Sequence, residues 1–184
     1  LHDTRHIVPM DRAEYGLPAD ALVFGCLAQH YKYTQKMVEA WSQILKQVPN
    51  SVLLLAEPSE GARPRILDVF SALDVPQDRV CFARREPTRE GHLARLKMVD
   101  IFLDTFPYNA HSLAADAVSA GVPLLTLSGK SFASRVAGSL MTKLGFGHFV
   151  VETAAEYVAL ATKLASNERN LKEYRTELEQ AIAS

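Results

Sequence analysis

DTFPYNAHSLAADAVSAGVPLLT, residues 104–126, carries the chain out of one apolar run and into another. The run that leads into it, Asp100-Ile-Phe-Leu-Asp104, has the length and composition of a buried strand. Pro107 and Asn109 are turn formers, and a helical pattern begins near His111. Gly121 and Pro123 end that helix, and Leu124–Leu127 follows at once as a second strand. Strand, loop, short helix and strand make half of a nucleotide-binding α/β unit.

In such a unit the loop between the strand's carboxyl end and the helix attracts anions. Open backbone amides and the positive end of the helix dipole point there together. Here that place carries His111 and Ser112, with Asp116 one turn further in. A plainer reading exists for each: Ser112 as a helix cap, Asp116 as a charge on a solvated face.

The same alternation extends in both directions. Leu22–Leu27 reads as the first strand and runs into the polar loop Ala28-Gln-His-Tyr-Lys32. Thr34 then caps a helix in which Met37, Val38, Trp41, Ile44 and Leu45 recur at helical spacing, so Trp41 belongs to the core. Pro49-Asn50 closes that helix, and Val52–Ala56 is a second strand. A helix over Arg63–Leu73 tolerates Pro64 in its first turn, and Val80–Ala83 is a third strand. The helix Thr88–Val99 carries His92 and Arg95 on one side. Beyond the central unit come a helix over Phe132–Leu144, the Gly145-Phe-Gly147 turn, and helices over Ala154–Ser166 and Glu168–Ala183. Residues 1–20 are polar, with Pro9, Gly16 and Pro18, and read as a lead-in segment or interdomain linker with little structure of its own. Short strands alternating with helices imply an α/β fold, a Rossmann-like doubly wound parallel sheet, over residues 21–184.

Composition narrows the function. Hydrophobic residues are 48% and charged residues 22%, as in ordinary globular proteins, and the net charge is −1. No basic run exceeds Arg84-Arg85, so no nucleic-acid partner is expected. No apolar stretch approaches the roughly 20 residues that span a bilayer, so no membrane partner is expected either. Cys26 and Cys81 fall in apolar runs without metal-ligand spacing, which suggests buried thiols, a reducing, cytoplasmic setting and no metal. The opening LHDTRHIVPMDR shows no signal peptide and lacks an initiating Met, as a piece of a longer protein would.

Ligands of doubly wound sheets lie outside the strands' carboxyl ends. Gln29, Lys32, His92, Arg95, His111, Ser112 and Asp116 reach that edge from separate loops. The set suits a nucleoside diphosphate: cation and amides for phosphate, a carboxylate for ribose, a flat side chain for a base. Gly-rich dinucleotide and Walker fingerprints are missing, and Gly129-Lys130-Ser131 lacks the upstream glycine. No GxSxG elbow occurs.

Gln29-His-Tyr-Lys32, Trp41–Ser51, Leu103-Asp-Thr105, Asn109-Ala-His-Ser112 with Asp116, Ala120-Gly-Val-Pro123, Ser134-Arg-Val136 and Glu156-Tyr157 together resemble the O-GlcNAc transferase family with its SPINDLY-like relatives. The similarity runs from about residue 11 to the end. It implies a GT-B glycosyltransferase of two facing Rossmann-like domains, with this chain as the C-terminal, donor-binding half. It also implies metal-independent, inverting transfer of a sugar from a UDP-sugar, UDP-GlcNAc first, to Ser or Thr of a protein acceptor, without a cofactor. Partners would be an N-terminal catalytic domain and tetratricopeptide repeats, and without them the chain would transfer little. By position, Lys32 is similar to the lysine that stabilises the leaving diphosphate, and Gln29 to its neighbour on the phosphate. His92 would pack on uracil with Arg95 supporting it; His111, Ser112 and Leu113 would form the phosphate-binding helix start, and Asp116 would hold the ribose. Leu113 stands where the family commonly has threonine, leaving only its backbone amide; Ala28 replaces the usual asparagine, and the Phe82–His92 segment is one residue longer than in the animal enzymes. The alternatives are a catalytically silent nucleotide-binding or interaction module, and a GT-B transferase using GDP-fucose or an asparagine acceptor.

Overall fold

The computed structural model describes residues 1–184, apart from the side chain of Glu168. Its centre is a six-stranded, wholly parallel sheet formed by β1 (Leu22–Cys26), β2 (Ser51–Ala56), β3 (Val80–Ala83), β4 (Ile101–Leu103), β5 (Leu124–Leu127) and β6 (Val150–Val151). The spatial order is β3-β2-β1-β4-β5-β6. Every residue of β1 and β4 is buried, as are the first five of β2. That explains why these strands read as continuous apolar runs instead of alternating ones, since both faces are covered.

The cover comes from α1 (Gln35–Gln47), α2 (Ala62–Ala72), α3 (Arg89–Leu96), α4 (His111–Ser119), α5 (Val136–Lys143), α6 (Ala154–Ala165) and α7 (Glu168–Ala183). Helix α1 packs on α6, and α4 touches α3, α5 and α7. Trp41 is fully buried between them, and its indole Nε1 donates to the Tyr157 hydroxyl at 3.1 Å. At the centre of β1 the chain needs glycine: a Cβ on Gly25 would lie 2.5 Å from Val99 Cγ2. The absent side chain lets the turn into β4 lie directly on β1.

The sequence reading holds for the central unit and for the alternation around it. Three differences have identifiable causes. Helix α5 begins at Val136, not Phe132, because Ser131–Arg135 closes a turn in which Ser134 N donates to Ser131 O at 3.2 Å and Ser131 Oγ to Ser134 Oγ at 2.9 Å. Strand β6 is two residues long, too short to show any periodicity, and follows a 3-10 turn over Gly147–Phe149. Residues 1–20 contain just one 3-10 turn, Arg12–Tyr15, yet they are packed: Thr4, Ile7 and Leu17 are buried, and Arg12 donates to Met98 O and the Asp100 carboxylate, both at 2.9 Å.

Candidate functional site

The connections leave β1 toward β2 and β3, and leave β4 toward β5 and β6, so β1 and β4 flank the switch point of the sheet. Crevices form outside the carboxyl ends at such a point, because the flanking loops diverge to opposite faces. A cleft of about 940 Å³ opens there. Its walls include Gln29, Lys32, His92, Arg95, His111, Ser112, Leu113 and Asp116, all eight of the residues expected from the sequence.

Each comes on a shaped support. After β1 the chain turns through a 3-10 segment, His30–Lys32, and the Tyr33 hydroxyl donates to Ala28 O at 3.0 Å, which holds the turn against the strand end. Lys32 leaves this turn exposed and makes no salt bridge among the described residues. After β4, Asp104–Ala110 forms a compact loop with a cis Phe106-Pro107 bond. Thr105 Oγ1 donates to Tyr108 O at 2.6 Å, and Asn109 Nδ2 donates to Thr105 O at 3.1 Å. The Asn109 side-chain oxygen is buried without a partner among the described residues.

Helix α4 starts bare. Its cap residue is Ala110, and no side chain caps it. Ser112 therefore is not a helix cap: it sits inside the first turn, exposed beside His111. The first helical bond is Ala114 N to Ala110 O, so the amides of the preceding turn face the cleft unspent. An anion is the natural partner for that end of the helix.

The opposite wall is a chain of charged groups. Thr88 Oγ1 accepts from Gly91 N at 3.0 Å and starts α3. Arg95, 7% exposed, donates to Arg84 O and to His92 Nδ1, each at 2.8 Å. A guanidinium can only donate, so Nδ1 accepts and the proton of a neutral ring sits on Nε2. That nitrogen lies 3.3 Å from Asp116 Oδ2. Burial first, then the Arg95 charge, holds the His92 pKa below its usual 6.5, against the pull of Asp116. The ring is therefore neutral at pH 7, with one edge tied at both nitrogens. Arg89 closes the chain, its Nη2 3.0 Å from Asp116 Oδ1.

Asp116 is accordingly a bridged carboxylate, not a solvated face residue. Arg89 escaped the sequence reading, although its place just after the Thr88 cap, three before His92, puts both on one side of α3. Glu57 is engaged by Arg63, and Glu86 by the Tyr15 hydroxyl at 2.7 Å. The cleft thus keeps its acids paired and leaves Lys32 and the α4 amides for a negative ligand. Cys26 lies fully buried with its thiol pushed up to about 12 by burial, so it is no nucleophile. Among the described residues no three His, Cys, Asp or Glu side chains gather as metal ligands, and no helix is long and apolar enough to cross a membrane.

The family model for glycosyl transferase family 41 matches residues 2–184. The probable UDP-N-acetylglucosamine–peptide N-acetylglucosaminyltransferase SEC of Arabidopsis thaliana is 38% identical over 168 residues, 91% of this chain and 17% of that protein. The UDP-N-acetylglucosamine–peptide N-acetylglucosaminyltransferase of Caenorhabditis elegans is 35% identical over 175 residues, 94% of this chain and 15% of that one. The chain thus spans about one sixth of these relatives. A solved O-GlcNAc transferase mutant from Thermobaculum terrenum superposes with a TM-score of 0.84 at 25% identity, over 96% of this chain and 35% of that one. The glycosyltransferase WaaG, 14% identical with a TM-score of 0.72, shares the fold. By fold, by the family model and by these relatives, the chain belongs to glycosyl transferase family 41, with the α/β architecture of one GT-B half.

Proposed function

We propose that this chain is the donor-binding half of an inverting, metal-independent protein O-glycosyltransferase, taking a UDP-sugar, UDP-GlcNAc first, for transfer to Ser or Thr. The observation that carries the reading is the convergence of Lys32, the uncapped start of α4 and the His92–Asp116 pair on one cleft at the switch point. The diphosphate lies across the α4 amides beside His111, Ser112 and Leu113. Asp116 keeps free lone pairs on each oxygen after serving Arg89 and His92, enough to accept from ribose hydroxyls. His92, fixed edge-on by Arg95, offers a ring face to the base.

In the reaction the bond between the anomeric carbon and the β-phosphate oxygen breaks, and the acceptor hydroxyl adds from the opposite face. Negative charge grows on the departing diphosphate. Lys32 and the α4 dipole stabilise that charge where it forms, and Gln29 holds the adjacent phosphate. The acceptor is a separate protein, and the base that takes its proton and any tetratricopeptide repeats would come from other parts of a longer protein. Two free cysteines, one of them fully buried, suit a reducing, cytoplasmic setting.

Transfer assays with a complete protein containing this chain, offered labelled UDP-GlcNAc or GDP-fucose and paired Ser- and Asn-bearing peptides, test the reading. The expected product is GlcNAc on the Ser peptide. Label from GDP-fucose alone, or on Asn alone, would reassign donor or acceptor, and no transfer by a folded, complete protein would point to a silent module.

A further inference from the structure

Asp104 is fully buried at the end of β4, yet every hydrogen bond of its carboxylate is made to the loop and strand that carry the diphosphate site. Oδ1 accepts from Thr105 N and from Ala110 N, both at 2.9 Å. One oxygen therefore ties together the first and last turns of the Asp104–Ala110 loop. Oδ2 accepts from Thr126 Oγ1 at 2.8 Å, which fastens the loop to β5. The residue's own backbone is held as well: its N donates to Leu125 O at 3.0 Å, and its O accepts from the Tyr157 hydroxyl at 3.1 Å. Tyr157 in turn accepts from Trp41, so α1 and α6 both brace the same point.

What this fixes is the start of α4. Ala110 is the cap residue, and no side chain orients the turn that follows. The placing of the open amides thus depends on where Ala110 N is held, and Asp104 holds it. We infer that Asp104 is a positioning residue for the diphosphate subsite, acting through Thr105 and Ala110 and never touching the ligand; this rests on the donor-site reading above.

The carboxyl does not need its charge for the task. Burial pushes it up to about 7, against its three hydrogen bonds and the Lys32 charge. The groups facing it are Lys32, the Cys26 thiol and Tyr157, together with the donors already named. Oδ1 can accept both amides in either protonation state. When protonated, Oδ2 donates to Thr126 and the threonine hydroxyl turns to accept. An asparagine reproduces that second state: its oxygen takes the two amides and its nitrogen donates to Thr126. Alanine leaves both buried amides without a partner, the costly outcome for a hydrogen bond.

The test compares Asp104→Ala and Asp104→Asn with the parent chain, titrating UDP and uridine on each. The expected result is a loss of roughly 10-fold or more in UDP affinity for alanine, with uridine changed by less than about 2-fold, and recovery to within about 3-fold by asparagine, as follows from two orphaned amides against none. Equal loss for uridine and UDP, or an asparagine variant as weak as alanine, would overturn the inference. If Asp104→Ala does not fold, Thr126→Val removes only the partner of Oδ2, and a UDP-specific loss of a few-fold is expected. Amide hydrogen exchange without ligand reads the clamp separately: Ala110 and Thr105 should exchange at least about 10-fold faster in the alanine variant than in the parent, and at close to the parent rate in the asparagine variant. Unchanged exchange overturns the clamp, whereas a parent chain with slow exchange at both amides and no UDP binding, alone or joined to its N-terminal half, overturns the donor-site reading instead.

Discussion

Alanine in place of Lys32 should cut turnover of a complete transferase by about 10²–10³ while leaving donor affinity within about 10-fold. The asymmetry follows from where charge sits. In the proposed donor complex the diphosphate charge is shared along the pyrophosphate and met by the α4 amides. In the transition state the β-phosphate gains charge as the glycosidic bond lengthens, and Lys32, exposed on its 3-10 turn and free of a salt bridge among the described residues, is the cation placed to meet it. A group that acts on charge developing in the transition state appears in kcat more than in binding. Arginine at this position keeps the charge but not its shape, and should recover only part of the loss. Steady-state kinetics on the parent, Lys32→Ala and Lys32→Arg enzymes check this. A change confined to KM would remove Lys32 from the chemistry and leave it a binding residue.

The second large effect belongs to Asp116. Its carboxylate is shared by Arg89 and His92 and is offered by the proposed site to the ribose. Removing it in Asp116→Ala loses a hydrogen bond to a charged group, about 1.5–3 kcal/mol, or roughly 10- to 150-fold in UDP affinity. It also leaves the Nε2–H of a half-buried His92 without its partner, so the ring that the proposed site offers to the base is freed at one edge. Asp116→Asn keeps an acceptor and should lose less than alanine does. Affinity for inorganic pyrophosphate, which has no ribose, should stay within about 2-fold in both variants. A parallel loss of pyrophosphate affinity would show that Asp116 organises the whole cleft and not the ribose end.

Much of the fold was legible because its causes are local. The apolar runs at Leu22–Cys26 and Ile101–Leu103 are buried on both faces, and helix breakers stand where the helices end, so strand and helix order could be read residue by residue. Features set by particular hydrogen bonds and not by hydrophobic spacing were not. Phe132 and Ala133 match helical spacing, but the serines around them close a turn first, and Phe132 is 79% exposed. The packing of residues 1–20 rests on partners such as Met98 and Asp100, some 86 and 88 residues away from Arg12.

The candidate site divides in the same way. Residue types in the loops after strands, and in the first turns of the helix that follows, announced Lys32, His111 and Asp116, because the edge of a parallel sheet gathers such segments whatever their length. The arrangement among them was hidden. That Arg95 fixes the tautomer of His92 can be argued only from the nitrogen it touches. Asp104 reads in the sequence as the end of a strand. Its role emerges from Thr126, 22 residues on, and Tyr157, 53 residues on, which meet it only in the folded chain.

Isothermal titration of this chain with UDP and GDP tests the central claim most directly. The account predicts saturable, one-to-one binding of UDP, weaker binding of GDP, and loss of the UDP signal in Asp116→Ala. Equal or tighter binding of GDP would contradict the assigned donor. A folded chain that binds neither nucleotide, alone or joined to its N-terminal half, would contradict the claim that the cleft beside β1 and β4 is a nucleotide-sugar site at all.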